Sequence, residues 1–158
     1  MATGNGIGGV FLSQMSRKAK TRIATTGIID LASAASGQAG VNLMFSYPEA
    51  DVAIVSIKAV YAIASGASSP CAGVKIGTVA DDDAFATSQS IGAATAVNAI
   101  GDSATVTLNT TSCKTTTSPN THASLPVLPA GTAMILAYTN TTTAGSVKFV
   151  ISYFPLDD

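Results

Sequence analysis

The stretch D-V-A-I-V-S-I-K-A-V-Y-A-I-A, residues 51 to 64, decides how the rest of this chain is read. Taken with a period of two, Val55, Ile57, Ala59, Tyr61 and Ile63 share one face, and Ile54, Ser56, Lys58, Val60 and Ala62 share the other. The first set is predicted to face a core. Its alanines would also suit a helix, but the density of β-branched residues and the alternation around Ser56 and Lys58 favour a strand.

Working outward from it, the same pattern recurs in short pieces. V-N-L-M-F-S-Y places Val41, Leu43, Phe45 and Tyr47 on one face, and Pro48 ends that strand. After the turn-forming G-A-S-S-P-C-A-G comes V-K-I-G-T-V, with Val74, Ile76 and Thr78 together, and then A-T-V-T-L-N, with Ala104, Val106 and Leu108 together. T-A-M-I-L-A-Y-T and S-V-K-F-V-I-S-Y-F are expected to pair as a hairpin across the T-N-T-T-T-A-G cluster. In the last strand Val147, Phe149, Ile151 and Tyr153 point one way, and Lys148, Val150 and Ser152 the other. One segment, S-I-G-A-A-T-A-V-N-A-I-G (90–101), reads as a short helix. About eight short strands separated by turn clusters predict an all-β protein, an antiparallel β-sandwich or jelly roll.

At 158 residues the chain fits a single domain able to bury roughly 70% of its unfolded surface. Residues 1–20 are Gly-rich and then basic, without periodicity, and read as an extended N-terminal arm. Residues 21–158 read as one β-sandwich domain. Only 11% of residues are charged, against roughly a quarter in an ordinary soluble domain, while 47% are apolar. The exterior must therefore be built from Ser, Thr, Asn and Gly. With a net charge of −1, little electrostatic repulsion keeps copies apart, so a standing partner is expected.

That charge argues against general nucleic-acid binding, which needs a basic footprint. Arg17, Lys18, Lys20 and Arg22 do cluster, but without interleaved aromatics they read as a solvated or partner-facing arm. Apolar runs break at Gly, Ser or Thr long before the ~20 residues of a bilayer span. The start of the chain lacks the charge order of a secretory signal, so synthesis in a cytoplasm is expected. In that setting Cys71 and Cys113 are expected to stay reduced, and the sequons at Asn109 and Asn140 to carry no glycan.

Chemistry is thinly represented. His122, the only histidine, lies in a proline-bracketed loop, and neither cysteine sits in a nucleophile context. Glu49 is the sole glutamate. Asp30, Asp51 and Asp102 fall at strand ends or turns, where Asp is favoured for backbone reasons. G-N-G-I-G-G near the start follows no strand and so lacks the context of a dinucleotide fingerprint. Asp81, Asp82 and Asp83 are adjacent, whereas a calcium loop spaces its oxygens at alternate positions around a glycine. They read as an exposed loop after the V-K-I-G-T-V strand, with Phe85 returning the chain to the core; a weak surface cation is the lesser reading. No catalytic residue, cofactor or metal is assigned, and the chain is not read as an enzyme.

V-K-I-G-T-V-A-D-D-D-A-F, the later L-P-A-G-T-A-M-I-L-A-Y and the closing S-V-K-F-V-I-S-Y-F-P together resemble small β-structured virion proteins of tailed bacteriophages, most closely the capsid decoration or cement proteins. The resemblance covers about residues 21 to 155. It implies a jelly-roll domain, commonly trimeric, on the outer capsid surface, made in the host cytoplasm and partnered by the major capsid protein and by copies of itself. In such a protein the arm would reach the shell, with Phe11, Leu12, Arg17, Lys18, Lys20 and Arg22 as the contacting set. Two rivals are a tail, baseplate or head-fibre component and a carbohydrate-binding jelly roll. The second is disfavoured by the absence of Trp and by Tyr47, Tyr61 and Tyr153 falling on inward faces.

Overall fold

The computed structural model describes residues 21–30, 42–64, 71–92, 99–111, 113–118, 123–138 and 145–156. Among them are eleven strands and no helix. They are β1 (Arg22–Thr25), β2 (Ile29–Asp30), β3 (Asn42–Ser46), β4 (Asp51–Ile63), β5 (Cys71–Gly77), β6 (Ala86–Ile91), β7 (Ser103–Val106), β8 (Thr115–Thr117), β9 (Ser124–Leu128), β10 (Ala133–Ala137) and β11 (Ser146–Leu156). One sheet of seven strands runs β1-β11-β4-β9-β8, with β2 also on β11 and β7 also on β4; a second runs β3-β10-β5-β6.

The pairing is nested and antiparallel throughout: β1 with β11, β3 with β10, β4 with β7, and β5 with β6. Four nested hairpin pairs split between two facing sheets are the topology of a jelly roll. The β8–β9 hairpin is an addition between β7 and β10. This nesting overturns the expected hairpin of the last two long strands. β10 joins β3 and β5 in one sheet, and β11 joins β1 and β4 in the other. Adjacent in sequence, they face each other across the core because each completes a pair begun by an early strand.

The core is the space between the sheets. Val147, Phe149, Ile151 and Tyr153 of β11 are all buried in it, as their alternation predicts, and so are Ile57, Ala59 and Tyr61 of β4 and Val74 and Ile76 of β5. Two residues of β4 depart from their assigned faces. Ile63 is 54% exposed, while Ile54, assigned outward, is fully buried. Both departures come from bulges. Between β4 and β11 the register jumps from Ser56↔Ser152 to Ile54↔Tyr153 and again from Tyr61↔Val147 to Ile63↔Ser146. Each extra residue reverses the in-out phase beyond it. Val55, left over at the first bulge, packs instead in a small second cluster with Ala53, Leu125 and Phe154.

The segment read as a short helix is not helical where it is described. Ser90 and Ile91 end β6, and residues 99–102 form a turn closed by the amide of Asp102 on the Ala99 carbonyl (3.1 Å). Residues 93–98 lie outside the described residues.

Two side chains complete backbone pairing where the strands are interrupted. Between β1 and β2, Thr26 donates its amide to the Phe149 carbonyl, and its Oγ1 accepts from the Phe149 amide, both at 2.9 Å. On the far side of the sandwich, the Gln89 amide group donates to the Thr107 carbonyl (3.0 Å) and accepts from the Thr107 amide (2.9 Å). Gln89 thereby imitates a strand neighbour and fastens the edge of the smaller sheet to the segment leaving β7.

Candidate functional site

Several of the sequence features singled out above, among them the Asp81–Asp83 loop, Asp51 and Arg22, meet at one end of the sandwich, while Asp30 and Asp102 lie toward the other. At the first of these, β5 ends, β4 begins, and the turn at 129–132 feeds β10. After Gly77 the chain doubles back sharply. Thr78 donates its amide to the Asp81 carbonyl (2.7 Å), the Thr78 hydroxyl accepts from the Asp81 amide (3.2 Å), and the amide of Phe85 reaches the Ile76 carbonyl (2.8 Å). Phe85 is buried, so it returns the chain to the core as its sequence position predicts. Only glycine fits at 77, because a Cβ there would overlap the backbone of Asp81 and Asp82.

Within this loop the three aspartates have separate tasks. Lys75 Nζ lies 3.3 Å from both carboxylate oxygens of Asp82. Asp81 Oδ1 accepts from the amide of Asp83 (3.4 Å), and the Asp83 carbonyl accepts from Asn109 Nδ2 (3.3 Å). Hydrogen bonding to the Asp81 side chain, helped by partial burial and by the Asp81 charge, holds the Asp83 carboxyl above the usual aspartate range. One carboxylate oxygen from each of Asp81, Asp82 and Asp83 can lie within 4.8 Å of the others, so the set could hold a cation only in competition with Lys75.

Asn109 ties the loop to its neighbours. Its amide donates to the Phe85 carbonyl (2.7 Å), and its Oδ1 accepts from the amide (3.0 Å) and hydroxyl (2.8 Å) of Thr111. The Asn109 sequon is thus spent on a local turn. Cys113 is a free thiol, half-buried, with Sγ 3.7 Å from the Asn109 carbonyl; burial pushes its pKa up.

The A-G-T motif forms the adjoining turn. Gly131 has φ of +68° and donates its amide to the Tyr47 carbonyl (2.9 Å). Asp51 Oδ1 accepts from the amide of Ala130 (2.9 Å), and Asp51 Oδ2 lies 3.5 Å from Lys114 Nζ. Asp102 likewise accepts from the Ala99 amide (2.7 Å), and Asp30 ends β2. All three separated aspartates therefore sit at strand ends or turns, as read from the sequence.

Arg22 belongs to this end too. Its Nη1 donates to the Tyr47 hydroxyl (2.8 Å), its guanidinium lies 5.8 Å from the ring centroid, and Tyr47 donates onward to Glu49 Oε2 (3.2 Å). Tyr47 and Phe45 pack on Tyr153 with centroids 5.8 and 4.7 Å away. Arg22 is thus anchored on the body of the domain. Phe11, Leu12, Arg17, Lys18, Lys20 and His122 lie outside the described residues. Sequence reasoning missed Thr26 and Gln89, and nothing in their immediate sequence marks them.

No family model matches this chain, and no curated protein matches it. Among solved structures it is similar to a chain of the cyanophage Pam1 capsid asymmetric unit, with a TM-score of 0.54 and 12% identity over 99% of this chain and 92% of that one. At that identity the likeness is one of fold. It covers nearly the whole of both chains.

Proposed function

We propose that this chain is a structural protein of a bacteriophage virion that decorates the outer surface of the capsid and cements neighbouring capsomers of the major capsid protein. The observation that carries this reading is the jelly-roll fold itself, matched along nearly its whole length by a chain of a phage capsid unit. The sequence supports it independently through its weakly charged exterior and through the strand-and-turn motifs shared in style with decoration proteins. The I-G-T and A-G-T turns lie at the end of the sandwich that also holds Arg22. The segment before Thr21, with Phe11, Leu12, Arg17, Lys18 and Lys20, is the shell-contacting part, and Arg22 anchors its root.

Such a protein works by mass action. Binding the assembled shell but not its dissociated subunits shifts the equilibrium toward the shell. When several contacts engage at once, avidity exceeds single-site affinity by roughly 10² to 10⁴. Cryo-electron microscopy of the native particle tests the reading. Density for the β-sandwich domain in many copies on the outer capsid surface is the expected result; density confined to the tail or baseplate overturns it.

A further inference from the structure

Among the described residues, the edge of the larger sheet formed by residues 22 to 29 has strand pairing on one side only. β1, Thr26 and β2 all pair inward with β11, and among the described residues no strand lies beyond them. Sheet edges of this kind are usually guarded by charged side chains, by proline or by a covering loop. Here R-I-A-T-T-G-I-I-D has seven consecutive residues with neither charge nor proline. Ile23 is 69% exposed and Ile28 58% exposed, and a Cβ built on Gly27 between them would meet nothing. The edge at β6 is different: Gln89 clasps it to Thr107, and its exposed residues Thr87, Ser88 and Ser90 are polar.

We propose that residues 22–30 form an interface with the same stretch of a second copy of this chain, running antiparallel across a two-fold axis near Thr25 and Thr26. The stretch is complementary to itself in that orientation. Antiparallel pairing sets Ile23 of each copy beside Ile28 of the other, covering both exposed isoleucines, and brings the Arg22 end of one strand to the Asp30 end of its mate. A parallel arrangement would oppose like charges. A two-fold contact uses one patch twice, and the small net charge of the chain raises little long-range repulsion against it. The larger sheet then continues through both copies. This contact is a property of the free protein and does not depend on decoration of a shell.

Sedimentation velocity on the full chain tests it. The wild type is expected to dimerise, and Ile23→Lys with Ile28→Lys to weaken the dimer by roughly tenfold or more while leaving the thermal transition in place, since both side chains are outside the core. Mixing a tagged Ile23→Cys variant with an untagged Ile28→Cys variant and oxidising is expected to trap a covalent heterodimer through those two positions. A wild-type protein that remains monomeric at high micromolar concentration overturns the proposal, as does a dimer indifferent to the lysine substitutions and uncrosslinked by the cysteine pair.

Discussion

Thr26 and Phe149 exchange two hydrogen bonds, one from the Thr26 backbone and one to its hydroxyl, and so keep the outermost strand on the sheet across the break between β1 and β2. The hydroxyl also donates to the Gly27 carbonyl at 2.8 Å. Replacing Thr26 by Val keeps the shape and leaves the buried amide of Phe149 without an acceptor. A loss of about 1–3 kcal/mol is expected. At this chain length that lowers the melting temperature by about 2–4 °C per kcal/mol. Thr26→Ser, which restores the acceptor, should recover most of the loss in the same calorimetric scan.

Gly77→Ala forces a methyl group into the backbone of Asp81 and Asp82. Overpacking against backbone rather than a yielding side chain is expected to cost about 1–3 kcal/mol. The damage should be local as well as global, with faster hydrogen exchange at the amides of Thr78 and Phe85. Unchanged exchange at those two amides would show that the loop tolerates a wider path.

The raised pKa of Asp83 has a defined pH signature. Its folded-state value lies above its unfolded one, so the native state holds the proton more tightly. The contribution to stability is complete below the unfolded pKa, near 3.9, and is lost as pH rises through the folded value. Carboxyl NMR titration should place Asp83 above the ordinary aspartate range in the wild type. In an Asp81→Asn variant, which removes the neighbouring charge, the shift should shrink.

Cys113 should be a slow thiol. Burial raises its pKa, so the thiolate fraction at neutral pH is small. Alkylation followed by peptide mapping is expected to label Cys113 roughly tenfold or more slowly in the native protein than in denaturant. Equal rates would mean that the segment around Asn109 opens freely.

Removal of residues 1–20 separates folding from attachment. The truncated chain keeps every described strand, beginning at Arg22, and should melt cooperatively near the wild-type temperature. It is expected to lose binding to capsids in a co-sedimentation assay. Undiminished binding would assign the shell contact to the domain itself.

Most of the fold was legible because burial on one face imposes a period of two. The inner sets of β11, β5 and β7 were read correctly from that alone, and the aspartate loop was recognisable from three adjacent carboxylates before a returning Phe85. What escaped were features set by long-range partners. Nothing near Val55 or Ala62 signals a bulge, since the extra residue is defined by β11, about ninety residues later. The false hairpin of β10 and β11 arose from treating neighbours in sequence as neighbours in the sheet, where nested pairing sends them apart. Gln89 and Thr107 show the same limit at the level of side chains: a glutamine acting as a strand partner looks like any polar surface residue until its partner is in place.

The pairing of β4 with β11 also sets a timetable. β4 is the longest strand of the larger sheet, yet the neighbour that covers it along its whole length is synthesised about eighty residues later. At ordinary translation speeds the nascent chain therefore carries an apolar ribbon without its mate for on the order of ten seconds. Contacts so distant in sequence also make for slow closure once both strands exist. Newborn copies are thus most vulnerable to tangling with one another in that interval, and shielding of β4 until β11 arrives would govern how much folded protein accumulates.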